Sequence, residues 1–212
     1  MHEAKKEYYR KLGQTMIKRF ARRNIDAVYC DTSEEACAKA LELMPSGSSV
    51  TWGGSVTIGE IGLLDAVAAG DYEVIDRMDQ MPGEDARVIH AKQSAADYFL
   101  MSTNAFTLDG ELVNIDGAGT RLCFLIAGPA HVLVIAGMNK LAHDVESALQ
   151  RVHDVASPPN CMRLGVNTPC AVTGVCGDCH GEQTICCQEV VTRHSRIPHR
   201  ITVIMVGEDL GY

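Results

Sequence analysis

Ser49-Val50-Thr51-Trp52-Gly53-Gly54-Ser55-Val56-Thr57-Ile58-Gly59-Glu60 is the stretch whose reading decides the fold. Its first four residues suit a strand, and Gly53 and Gly54 permit a tight loop. Ile61, Leu63, Leu64, Val67 and Ala68 then supply an apolar helical face that Gly70 stops. Strand, tight loop and helix in succession form the unit from which α/β proteins are built.

The same alternation extends to both sides. Upstream, Tyr9, Leu12, Met16, Ile17 and Phe20 recur at helical spacing, and Ala27 to Cys30 reads as a strand. Thr32-Ser33-Glu34-Glu35 then offers a capping box to a helix faced by Ala36, Cys37, Ala40, Leu41 and Met44, and Gly47 ends that unit. Downstream, a strand at Tyr72 to Ile75, a helix from Asp85 to Ala96 and a strand at Tyr98 to Met101 continue the series. Asp109-Gly110 sits between Phe106-Thr107-Leu108 and Glu111-Leu112-Val113, the spacing of a tight β-hairpin turn. His131 to Ala136 has the continuous apolar character of a buried parallel strand, Asp144 to Val155 is amphipathic enough for a helix, and Ile201 to Val206 is the last strand. The expected architecture is a mainly parallel sheet flanked by helices, with a hairpin and a late cysteine-rich insertion at residues 161–187, in a single domain spanning 1–212.

Composition narrows the function. Hydrophobic residues at 46% and charged ones at 22% match a soluble protein, and no uninterrupted apolar run is long enough to span a bilayer. The first residues resemble no signal peptide, and nine cysteines then indicate a reducing, cytoplasmic setting. A net charge of -8 repels phosphate backbones, so nucleic acid is not an expected partner.

Three motifs carry candidate chemistry. In the first, Gly53, Gly54, Ser55 and Thr57 place a glycine loop before a helix start, where unpaired amides suit an anion. The same residues would serve a plain turn, and local sequence does not separate the two uses. Ser55 is a poor nucleophile because Thr57 stands where the nucleophile elbow requires glycine. The second motif is Asp116-Gly117-Ala118-Gly119-Thr120-Arg121-Leu122. It begins like a dinucleotide fingerprint, but Leu122 replaces the third glycine, so a Rossmann cofactor is not expected. Its amides and Arg121 could still meet an anion, although a structural turn explains it as well. Ser102, Thr103, Asn104, Asn139 and Lys140 follow expected strands and would gather where open α/β sheets bind ligands. Glu60 is the candidate general base, with helix electrostatics as the plainer use, and Lys140 could meet an anion or simply lie in solvent.

The third motif is Cys170-x5-Cys176-x2-Cys179-x6-Cys186, four soft ligands among Pro169, Gly174, Gly177 and Gly181. One Cys-x2-Cys knuckle is fewer than structural zinc usually shows, which favours an iron-sulfur cluster of the [4Fe-4S] type over zinc. Reversible thiol chemistry involving Cys161, Cys186 and Cys187 is a third use. His180, His194 and His199 are alternative ligands or, more simply, solvated histidines, whereas Cys30, Cys37 and Cys123 sit in apolar stretches and read as core.

Trp52 to Thr57, Ser102-Thr103-Asn104-Ala105, Asp109 to Gly117, Ala136-Gly137-Met138-Asn139-Lys140 and Val206-Gly207-Glu208 occur in order, and together they resemble the LUD-domain, or DUF162, lactate-utilisation family. The resemblance implies a fold like that of the NagB, RpiA and CoA-transferase group and a small anionic ligand at the strand ends. The cysteine segment is similar to that of stand-alone members, unlike the lactate-system subunit that lacks it. The leading expectation is a protein of small organic acid metabolism or its electron transfer, with a cysteine-ligated centre and an anion crevice. The alternatives are an enzyme acting on a phosphorylated sugar, CoA ester or nucleotide, and a non-catalytic subunit docking on a redox protein. Self-association is compatible with all three.

Overall fold

In the computed structural model, which describes residues 1–79 and 85–212, ten strands divide into two sheets. The larger holds β1 (Asp26–Cys30), β10 (Ile201–Val206), β7 (His131–Gly137), β4 (Tyr98–Ser102), β2 (Ser49–Trp52) and β3 (Glu73–Val74), paired in that order and all parallel. Both faces are covered because side chains alternate along each strand. Val132, Val134, Val203 and Met205 pack with Met16 and Phe20 of α1 (Glu3–Ala21) and Leu125 of α6 (Leu122–Ile126). Leu133, Ile135 and Ile204 face the other way, onto Ala36 and Ala40 of α2 (Ser33–Leu43), Ile58 of α3 (Val56–Glu60) and Leu63 of α4 (Leu63–Ala69).

The hairpin strands β5 (Ala105–Thr107) and β6 (Leu112–Asp116) form where Asp109-Gly110 predicts a turn, with Gly110 at φ 84. They leave the main sheet and build a second one, in the order β8 (Leu141–Ala142), β5, β6, β9 (Gln188–Thr192). Neither β8 nor β9 is apparent in the sequence, since β8 has two residues and β9 carries Gln188 and Glu189 at its start. Ala105, Val113 and Ile115 bury this sheet against Ala148 and Val152.

Three expectations change in detail. The helix expected through Ile61 is two helices, α3 and α4, because Gly62 takes the left-handed conformation between them, at φ 71. Thr32 caps α2 by accepting from Glu35 N, but Glu35 turns back to Asp31 N, one residue short of closing the box. The run from Asp144 is α7 (Val145–Arg151), a wide π turn over Val152–Ala156, and α8 (Ser157–Leu164). Pro158 and Pro159 have no amide to donate and their rings crowd the preceding turn, so the backbone opens just before them. α5 (Ala86–Ser94) and α9 (Pro169–Thr173) complete the α-helices among the described residues. Among the described residues no helix is long and apolar enough to cross a membrane.

Candidate functional site

The carboxyl ends of the central strands open into a crevice of about 240 Å³. The loop after β2 contributes Gly54, Ser55 and Thr57; the loop after β4, Ser102, Thr103 and Asn104; the end of β6, Asp116 and Gly117. Arg121 and Arg163 bring two cations, and Lys140 a buried amine, to a wall in which Asp116 is the carboxylate among the described lining residues. Such a balance favours an anion in a chain whose net charge is -8.

Lys140 is only 4% exposed, so the solvated alternative is replaced by a buried amine. Its Nζ donates to Thr57 Oγ1 at 2.9 Å and Ser102 Oγ at 3.0 Å. Burial brings its pKa down to about 7, Arg151 and Arg121 add repulsion, and Glu60 partly opposes them. A lysine so placed would exchange a proton near neutral pH, and a neighbouring negative charge would favour its charged form.

Gly53 and Gly54 have different uses. A Cβ on Gly53 would stand 2.7 Å from Arg121 Cγ, so glycine here lets the arginine stem lie across the loop. Gly54 faces the crevice, and Ser55 caps α3 by accepting from Ile58 N. The second glycine motif is satisfied from within. Asp116 accepts from Gly119 N at 3.0 Å and Arg121 N at 3.3 Å, and pairs with Arg121 Nε at 3.1 Å. The amides expected to hold a ligand therefore hold the chain's own carboxylate, and Arg121 also donates to Ile115 O and Asn104 Oδ1. Asn139 pins the last segment by pairing twice with Leu210, and Glu60 accepts from Gly211 N at 2.7 Å. Gly119, Asn139 and Glu60 thus stand outside the crevice lining, while Gly211 and Tyr212 close it. Asn160 and Arg163, which pair with each other, reach it from α8.

Beside the crevice lies a cavity of about 110 Å³, walled by Cys170, Cys176, Cys179 and Cys186 together with Cys161. All nine cysteines are free thiols. Burial, together with Cys170 and Cys186, pushes the Cys161 thiol up to about 11, against the hydrogen bond to Thr168. Cys186 is raised chiefly by burial and its thiol meets Ser157 Oγ at 3.4 Å. Ser157 and Ile185 line both cavities, so the two share a wall. Among the described residues no three His, Cys, Asp or Glu side chains stand at the spacing of a single metal ion. The donor types are those that soft metals and clusters prefer, since five thiols line one space. His180 lines this cavity, whereas His194 borders the distant Arg19–Arg22–Arg193 surface and His199 pairs with Asp26.

A parallel α/β sheet with a cationic strand-end crevice and an adjoining thiol-lined cavity is the class these features define. The LUD domain model matches residues 13–206, and the chain belongs to the LUD domain family. The fold is similar to that of a DUF162 family protein from Deinococcus radiodurans, at 14% identity and a TM-score of 0.52, covering 92% of this chain and 96% of that one. Ribose 5-phosphate isomerase A from Methanocaldococcus jannaschii gives 15% identity and 0.32, over 52% of this chain and 53% of that one. The eIF2B delta subunit from Chaetomium thermophilum gives 18% and 0.37, over 68% and 55%. No curated protein matches this chain.

Proposed function

We propose that this LUD-domain protein serves small organic acid metabolism of the lactate type in the cytoplasm. It binds a small organic anion at Lys140 and holds a cysteine-ligated metal or iron-sulfur centre in the adjoining cavity. The observation that carries this reading is the wall of Ser157 and Ile185 common to both. Electron transfer weakens steeply with distance, and a centre behind that wall would be close enough to exchange electrons with a bound acid or pass them to a docked redox protein. Cys170, Cys176, Cys179, Cys186 and Cys161 would supply the ligands, and Lys140, Arg163 and Ser55 the anion contacts. When bound, the centre would supply the one-electron chemistry that side chains lack.

Anaerobic purification with metal and sulfide analysis tests the centre, and calorimetric titration with small 2-hydroxy and 2-oxo acids tests the crevice. Iron accompanied by sulfide, and acid binding that K140M abolishes, are the expected results. Zinc without iron removes the electron-transfer part. Binding of phosphorylated sugars, CoA esters or nucleotides in place of the acids would move the protein to the alternative enzyme class.

A further inference from the structure

A histidine absent from every expectation above stands at the thiol cavity. His153 lies in the π turn between α7 and α8 and lines the cavity. Its Nδ1 is 3.6 Å from Cys176 Sγ, and its Nε2 is 3.4 Å from Glu189 Oε1 at the start of β9. The imidazole therefore bridges a carboxylate on one side and a thiol on the other.

A neutral imidazole carries one proton, and a carboxylate beside Nε2 favours it there, which leaves the Nδ1 lone pair to accept from the Cys176 thiol, a proton that a metal would displace. A carboxylate behind a histidine in this way is the recurrent outer partner of a metal-bound imidazole. Distance points the same way. Metal–sulfur and metal–nitrogen bonds of a tetrahedral site put neighbouring N and S ligands about 3.6 Å apart. The separation of His153 Nδ1 and Cys176 Sγ is the same, so one ion can reach both with little rearrangement.

We infer that His153 is a nitrogen ligand of the centre, bound through Nδ1 to the same ion as Cys176 and oriented by Glu189. The inference rests on the reading that the thiol cavity holds a metal, and it narrows which one. An ion with two protein ligands is a mononuclear metal or one iron of a two-iron cluster, because each iron of a [4Fe-4S] cube takes one. Two of the other four thiols in the wall would have to close in to complete a mononuclear ion or ligate the second iron, since among the described residues no three such side chains stand at single-ion spacing. His153 and Ser157 are four residues apart, a spacing that puts both on one face of the helical run and so on the cavity.

X-ray absorption at the edge of the metal found in the anaerobically purified protein is the direct test, paired with cobalt(II) titration of the metal-free chain. Mixed nitrogen–sulfur coordination with an imidazole signature is expected, lost in H153A. In E189Q the nitrogen should remain, but cobalt affinity should fall about 10- to 100-fold. Thermal unfolding of the metal-free H153A chain guards against a folding defect. Should it melt below wild type, H153Q, which fills the same space with weak ligand capacity, replaces it in both measurements. A purely sulfur-bound metal in the wild type, or an unchanged spectrum and cobalt affinity in the histidine variant, overturns the assignment and leaves the metal reading standing. A wild-type chain that takes up no metal at all overturns both.

Discussion

Replacing Lys140 with methionine tests the buried amine without relying on any ligand. The side chain keeps its length and loses its charge. Because the folded-state pKa is lowered from 10.5 to about 7, the unfolded chain binds this proton more tightly than the folded one between those values. Stability gained through this group therefore rises with pH across that window and is lowest below about pH 7. One proton changes the free energy of unfolding by at most about 1.4 kcal/mol per pH unit. Between pH 7 and 9, after allowing for the curvature near the folded pKa, wild type should gain roughly 2 kcal/mol relative to K140M. Urea unfolding of both proteins at half-unit pH intervals measures this difference, and other groups cancel in the subtraction. At pH 6 the variant should be at its best relative to wild type, since methionine avoids burying an ammonium at the cost of leaving Thr57 and Ser102 without their donor. A difference that stays flat from pH 6 to 10 would refute the reasoning, because it would mean that Lys140 keeps an ordinary pKa and reaches water.

Other perturbations act on neighbouring parts. D116A removes the acceptor of Gly119 N, Arg121 N and Arg121 Nε, and leaves a largely buried guanidinium without its counter-ion. Denaturant unfolding should show a loss of about 3 kcal/mol or more. In G211A the new Cβ would stand 2.5 Å from Thr57 Oγ1 and 3.2 Å from Lys140 Nζ, at a backbone φ of 56 that glycine accepts most easily. A cost of at least about 1 kcal/mol is expected, together with weaker anion binding by calorimetry. Arg163 is exposed and bonds to Asn160 Oδ1, so R163Q should leave the melting temperature within a degree or so while reducing anion affinity about tenfold. Unchanged affinity there would take α8 out of the binding surface.

Much of the frame follows from local pattern. Ile201 to Val206 is apolar except at Thr202 because an inner strand of a covered parallel sheet has no solvent face, and the structure assigns it those bounds. Asp109-Gly110 announces its hairpin because few residues tolerate the backbone such a turn requires. Other features left no local trace. β8 and β9 are short or polar and exist through the partners β5 and β6 that they pair with. The π turn had one signal, Pro158-Pro159 at the end of an amphipathic run, where two missing amides mark a break in the regular helix.

The same division holds at the site. The order of residue types along the chain determined by itself that strands and helices alternate, that Gly53 and Gly54 follow a strand, and that four cysteines fall within one short segment. Each of these depends on spacing between near neighbours, which backbone geometry converts directly into local structure. Tertiary packing decided that Lys140 is buried on Thr57 and Ser102 rather than solvated, and that Asp116 occupies the amides of its own loop. It also brought Cys161 to the other thiols and set His153 between Cys176 and Glu189. Desolvation, charge pairing and ligand geometry act between groups far apart in sequence, so they take their values only once the two sheets and α8 have closed around the crevice.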